Sequence, residues 1–125
     1  MNKNLINDEI KSAYDALRES GIVDVKTGKI KKTYRGQISS FGAAVTMGSL
    51  VSAIAFFSEN GSSDVERSKL MDAILLVLKQ ERGVAEKRLF EYVINHKEEQ
   101  DKCKEEIINA AIALKLAMNL YEFEQ

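Results

Sequence analysis

Residues able to make and break bonds are scarce in this sequence. His96 and Cys103 are each the single residue of their kind. The segment EYVINHKEEQ puts Glu91, Asn95, His96, Glu99 and Gln100 within helical reach of one another, an arrangement that suggests a hydrolytic metal site. A zinc centre takes several His or Cys ligands, and one of each falls short. A solvated helix end accounts for His96. Cys103 is expected to pack on the last helix or at its edge, with nothing nearby to make it a thiolate nucleophile. The sequence has no Gly-rich phosphate loop, no Ser/His/Asp set and no HExxH pattern. The acidic pairs Glu98-Glu99 and Glu105-Glu106 read as exposed helix faces. The expectation is no catalytic residue, no metal ligand and no cofactor.

Charge offers more than catalysis does. Between Gly21 and Ser40 stand five basic residues, Lys26, Lys29, Lys31, Lys32 and Arg35, against one acid, Asp24. Such residues neutralise phosphates without reading bases, so they offer sequence-independent, salt-sensitive contact with a nucleic-acid backbone. Tyr34 beside Arg35 adds a surface for stacking. The competing expectation is a solvated loop whose charge is balanced by acids from other helices. Lys102, Lys104 and Lys115 form a weaker second set, because Lys102 and Lys115 fall more than a quarter turn apart on a helix.

The elements that must position these residues are helical. The chain has 125 residues, 45% apolar, with a net charge of -1, which suits one ordinary domain and fits neither a disordered tail nor a strongly basic protein. A single cysteine, and a polar opening where a signal peptide would be basic and then apolar, predict a cytoplasmic protein. Proline is absent, and inside a helix it would cost about 3 kcal/mol. No run alternates apolar with polar residues as a half-buried strand would. The fold class predicted is all-α, a compact single-domain bundle of five to six helices spanning 1–125.

The first helix is predicted over roughly Asn4 to Ser20, with Ile6, Ile10, Ala13, Tyr14 and Leu17 on its inner face and Gly21 ending it. IVDVKTGKIKKTYRG follows as a loop with a turn at Thr27-Gly28. Beyond a turn at Asn60-Gly61, Ser63 and Glu66 form a capping box for a helix that buries Leu70, Ile74, Leu75, Val77 and Leu78 and stops at Gly83. A shorter helix is built on Leu89, Phe90, Val93 and Ile94. The last, from about Glu98 to Tyr121, has a narrow polar stripe of Asn109, Lys115 and Asn119. Its broad apolar surface must be central in the bundle or half covered by another chain.

From Gln37 to Ser58 no charged residue occurs, a stretch long enough to raise the question of a membrane span. Seven Ser, Thr and Gln residues argue against it, and no aromatic belt or cluster of basic residues follows the stretch on its C-terminal side. Ile38, Phe41 and Val45 share one side, whereas Met47, Leu50, Ile54 and Phe57 project nearly opposite, so a single straight rod does not fit. Two helices joined at a bend near Gly48, with Ser49 as N-cap, do. Small residues recur at Ser40, Ala44, Gly48 and Ser52. They make a ridge suited to close packing inside the bundle, or to meeting another subunit or a sugar-phosphate backbone.

YRGQISSFGAAVTMGSLVSAIAFFSEN resembles the signature region of the small subunit of the type III-B CRISPR effector, the Cmr complex. The match runs through Tyr34, Phe41-Gly42-Ala43, Leu50, Ala53, Ile54, Ala55 and Phe56. The terminal AAIALKLAMNLYEF is similar to the Ala/Leu-rich helix that closes the family. The resemblance implies a small helical subunit without catalytic activity, stacked in several copies along the middle of an RNA-guided complex in antiviral defence. It would bridge larger subunits of the Cmr ribonucleoprotein and line the path of guide RNA and target RNA, touching their phosphate backbones, with no membrane involved. The rival expectation is a helical protein–protein adaptor that never meets nucleic acid.

Overall fold

The computed structural model describes residues 3–61 and 65–124. Among them run α1 (Lys3–Glu19), β1 (Lys29–Lys31), α2 (Lys32–Met47), α3 (Leu50–Phe57), α4 (Ser68–Arg82) and α5 (Leu89–Asn95). A 3-10 turn (Lys97–Glu99), α6 (Gln100–Met118) and β2 (Glu122–Glu124) complete the order. The fold is a compact, mostly helical one, and its buried apolar side chains form a single cluster.

α6 is the axis of that cluster and packs against α1, α2 and α4. Small residues make this possible: Ala110, Ala111, Ala113 and Ala117 are buried between Ile107, Leu114 and Met118, so three neighbours approach its backbone. Two expectations for α6 need correction. Asn109, read as part of a polar stripe, is fully buried, and Glu106, read as exposed, is buried too.

α1 presents Ile6, Ala13, Ala16 and Leu17 inward and ends at Gly21, whose φ of 84° is the left-handed geometry that glycine adopts without penalty. The uncharged stretch folds as two helices. α2 stops at Met47, Gly48 donates its N–H to the Ala44 carbonyl at 2.9 Å, and Ser49 Oγ caps α3 by accepting from the Ser52 amide at 3.2 Å. A Cβ on Gly48 would sit 2.9 Å from the Ala44 oxygen, so the bend requires a residue without one. Phe41 of α2 then meets Phe57 of α3 edge-on at 5.3 Å, which locks the two helices together. Among the described residues no helix is long and apolar enough to cross a membrane.

α4 buries the expected Leu70, Ile74, Leu75, Val77 and Leu78 and ends at left-handed Gly83. Ser63 of the expected capping box lies outside the described residues; Asn60 Oδ1 accepts from the Ser68 amide at 3.1 Å at the start of α4. α5 turns otherwise than expected. Leu89, Tyr92 and Val93 are buried, whereas Phe90 and Ile94 are 40% and 42% exposed. With only two turns, the helix can be rolled by a single tertiary demand, here the Tyr92 hydroxyl donating to Glu106 at 2.9 Å.

The loop after Gly21 is more ordered than its composition suggests. Asp24 Oδ1 accepts from the Lys26 and Thr27 amides at 2.7 and 3.3 Å, bonds that lower its pKa, and the chain reverses at Gly28. Val23 bridges back to Ile30, and β1 pairs in parallel with β2, placing Lys29, Ile30 and Lys31 beside Glu122, Phe123 and Glu124. Helix α2 then begins at Lys32, so Tyr34 and Arg35 are helical rather than part of a loop.

Candidate nucleic-acid interface

The basic segment divides into three groups. Lys26 lies exposed on the Asp24–Gly28 turn. Lys29 and Lys31 flank buried Ile30 on β1 and face acids: Lys29 Nζ is 4.0 Å from Glu122 Oε2, and Lys31 is in register with Glu124. Lys32 and Arg35 project from the first turn of α2 on the same face as Gly36 and Ser39. Lys115 of α6 joins them, and with the half-buried Phe123 these residues line an open depression of about 380 Å³. Arg35 lies over the Phe123 ring, 5.6 Å from its centre. Among the described residues neither Lys32 nor Lys115 has an acidic partner within ion-pair distance.

Tyr34 does not join this surface as a stacking platform. It is 4% exposed, because it sits one turn before Ile38 on the buried face of α2, and the accessible aromatic beside the bases is Phe123. Of the second lysine set, Lys102 pairs with Glu99 at 3.8 Å and Lys104 borders Asp101 and Glu105, while only Lys115 reaches the α2 bases. Sequence spacing within α6 hid this convergence, which depends on α2 packing across α6.

The small residues at steps of four are parted by the bend. Ser40 is exposed on α2, Ala44 half-buried, Gly48 in the turn and Ser52 exposed on α3. Together with Gly36, Ser39, Ala43 and Thr46 they leave the outer side of α2 beyond Arg35 uncharged and lined by small residues. A Cβ added at Gly36 or Gly42 meets nothing within 4 Å, so packing within this chain does not require either glycine.

The residues around His96 do not assemble a metal centre. α5 stops at Asn95, and the 3-10 turn separates Glu91 from Glu99 and Gln100. His96 Nδ1 is 2.8 Å from the Tyr92 carbonyl and 4.0 Å from Glu86. Glu86 accepts from Asn95 at 3.2 Å, which holds its carboxyl below the usual range. Among the described residues no three His, Cys, Asp or Glu side chains are placed to hold a metal ion.

Beside this region, sequence reasoning missed a buried polar cluster. Arg82 of α4 reaches Glu106 of α6 at 2.7 Å and Glu9 of α1 at 3.6 Å. Glu9 is fully buried, and neither of its carboxylate oxygens has a hydrogen-bond partner among the described residues. Burial raises the Glu9 pKa, Arg82 opposes that, and Glu81 and Glu106 add to it. Burial also raises the pKa of Cys103 and of Tyr92, the latter helped by its bond to Glu106. The signal was present in the sequence, since Glu9 falls three residues after Ile6 and four before Ala13, on the apolar face of α1.

A family model described as CRISPR-associated protein (Cas_Cmr5) matches residues 7–117, from the second turn of α1 to the last turn of α6. The chain belongs to the Cas_Cmr5 family. It is therefore a small subunit of the CRISPR type III-B Cmr complex and associates with other Cmr subunits. Members of the Cas_Cmr5 family are structural subunits. The matched span contains α2, α3 and Lys115, so the basic depression, apart from Phe123, lies within the family's own fold. No curated protein and no solved structure matches the chain.

Proposed function

We propose that the chain is a non-catalytic scaffold of the Cmr complex that carries RNA backbone across the Lys32–Arg35–Lys115 depression. In this reading it acts in the cytoplasm as one helical domain, bridges larger subunits and repeats along the guide RNA–target RNA path. The observation that supports it most is the convergence of three cations from two helices on one depression, none of them with an acidic partner within ion-pair distance among the described residues. Base pairing between guide and target supplies sequence specificity, so a lining subunit needs only charge and shape. A chain of net charge -1 binds RNA weakly alone, and several copies in one assembly convert weak contacts into useful retention.

Glu122 and Glu124 beside Lys29 and Lys31 favour a second reading, the adaptor without nucleic-acid contact. The combined variant Lys32→Glu/Arg35→Glu/Lys115→Glu separates the two. The RNA reading expects the assembled complex to retain roughly tenfold less RNA and to show a shallower salt dependence. Unchanged RNA retention with partner subunits still recovered rules it out and leaves the adaptor.

A further inference from the structure

The strand β2 holds two acids against two of the five basic residues, through few and weak contacts. Tyr121, the residue before it, is firmly anchored: its ring stacks on Tyr14 at 4.5 Å and its hydroxyl donates to the Tyr14 carbonyl at 2.9 Å. Arg18 donates to the same hydroxyl at 3.1 Å. Beyond that anchor the chain is held by a three-residue parallel pairing, the long Lys29–Glu122 contact and the half-buried Phe123. Short parallel pairings and exposed ion pairs each contribute little.

We propose that residues 122–124 are an electrostatic strap, an internal competitor that polyanion displaces from β1. Glu122 and Glu124 lie on one side of the strand, about 7 Å apart at strand spacing, and set two carboxylates where successive phosphates of an extended single strand would lie. Phe123 is attached to the same segment and covers one side of Arg35. Departure of the strap therefore takes the acids away from Lys29 and Lys31 and opens the Arg35 side of the depression in one movement, with Tyr121 as the hinge. A lone chain then keeps Lys29 and Lys31 beside the acids, and a high local concentration of phosphate, as in an assembled groove, replaces those acids. This inference rests on the RNA reading given above.

The test uses the full chain and an oligouridylate single strand. Glu122→Gln/Glu124→Gln keeps the backbone pairing and Phe123 in place and removes only the competing charge. Its affinity for the oligonucleotide is expected to rise roughly three- to tenfold, with a log–log salt slope steeper by about 1.4 for two added phosphate contacts. Amide hydrogen exchange at residues 122–124 of the unaltered chain is expected to quicken when the oligonucleotide is added. Affinity equal to or below that of the unaltered chain overturns the strap, and so does exchange that stays unchanged or slows. Lys32→Glu/Arg35→Glu/Lys115→Glu, measured in parallel, distinguishes the two failures. If it weakens binding while the glutamine pair changes nothing, the strap alone fails. If none of the variants alters binding, the RNA reading fails and takes the strap with it.

Discussion

α2 and α6 are both poor in charge over most of their length, yet they use that property in opposite ways. α6 carries Ile107, Leu114 and Met118 among alanines and is wrapped by three other helices. α2 buries only Tyr34, Ile38, Phe41 and Val45, and turns Gly36, Ser39, Ser40, Ala43 and Thr46 to solvent. Lack of charge marks a core where the side chains are large. Where they are small and exposed, it marks a face that its own fold leaves uncovered. That face adjoins the Lys32–Arg35 end of the helix, so charge and smoothness divide α2 lengthwise.

Four variants test this contrast. Leu114→Ala removes a fully buried side chain from α6 and is expected to cost about 3 kcal/mol or more in urea unfolding. A cost below about 1 kcal/mol would mean that α6 is not the axis of the core. Gly48→Ala drives a Cβ against the Ala44 carbonyl and is expected to destabilise by roughly 1–2 kcal/mol, through the bend that separates α2 from α3. Glu9→Gln acts on the polar cluster beside α6 and depends on pH. The Glu9 pKa is higher in the folded chain than in the unfolded one, so its proton favours folding at low pH. That contribution is lost as pH rises through the folded value. The variant is therefore expected to be about 1 kcal/mol more stable at neutral pH, with the difference vanishing towards about pH 4 in thermal melts. An equal effect at both pH values would place the cause outside the titration of Glu9. Smallest per site is Gly36→Ala/Gly42→Ala, expected to stabilise the free chain by about 0.5–1 kcal/mol at each glycine. If the outer side of α2 is a contact face, the same pair lowers recovery of partner Cmr subunits in a pull-down, and undiminished recovery removes that role from the helix.

Long helices with strong periodicity were legible in the sequence, as were their glycine ends and the bend at Gly48. Each is set by residues within a turn or two of one another. The helical face of Ile38, Phe41 and Val45 extends back by one turn to Tyr34, and that extension would have identified Tyr34 as core. The strands were not legible, because three residues carry no period and β1 finds its partner more than ninety positions away. Lys115 could not be joined to Lys32 and Arg35 without knowing that α2 crosses α6. Glu106 and Asn109 were misplaced because α6 is surrounded, so its polar residues have fewer ways out to water than on a helix with one exposed face.

Burial of Cys103 has a practical consequence. It is the single thiol of the chain, 1% exposed, and burial raises its pKa, so reagents that attack thiolates meet almost no reactive species in the folded state. Its alkylation rate is consequently a clock for the opening of α6, readable by mass without adding any label. Timed in the free chain and again inside the complex, that clock measures how far assembly restrains the subunit's breathing.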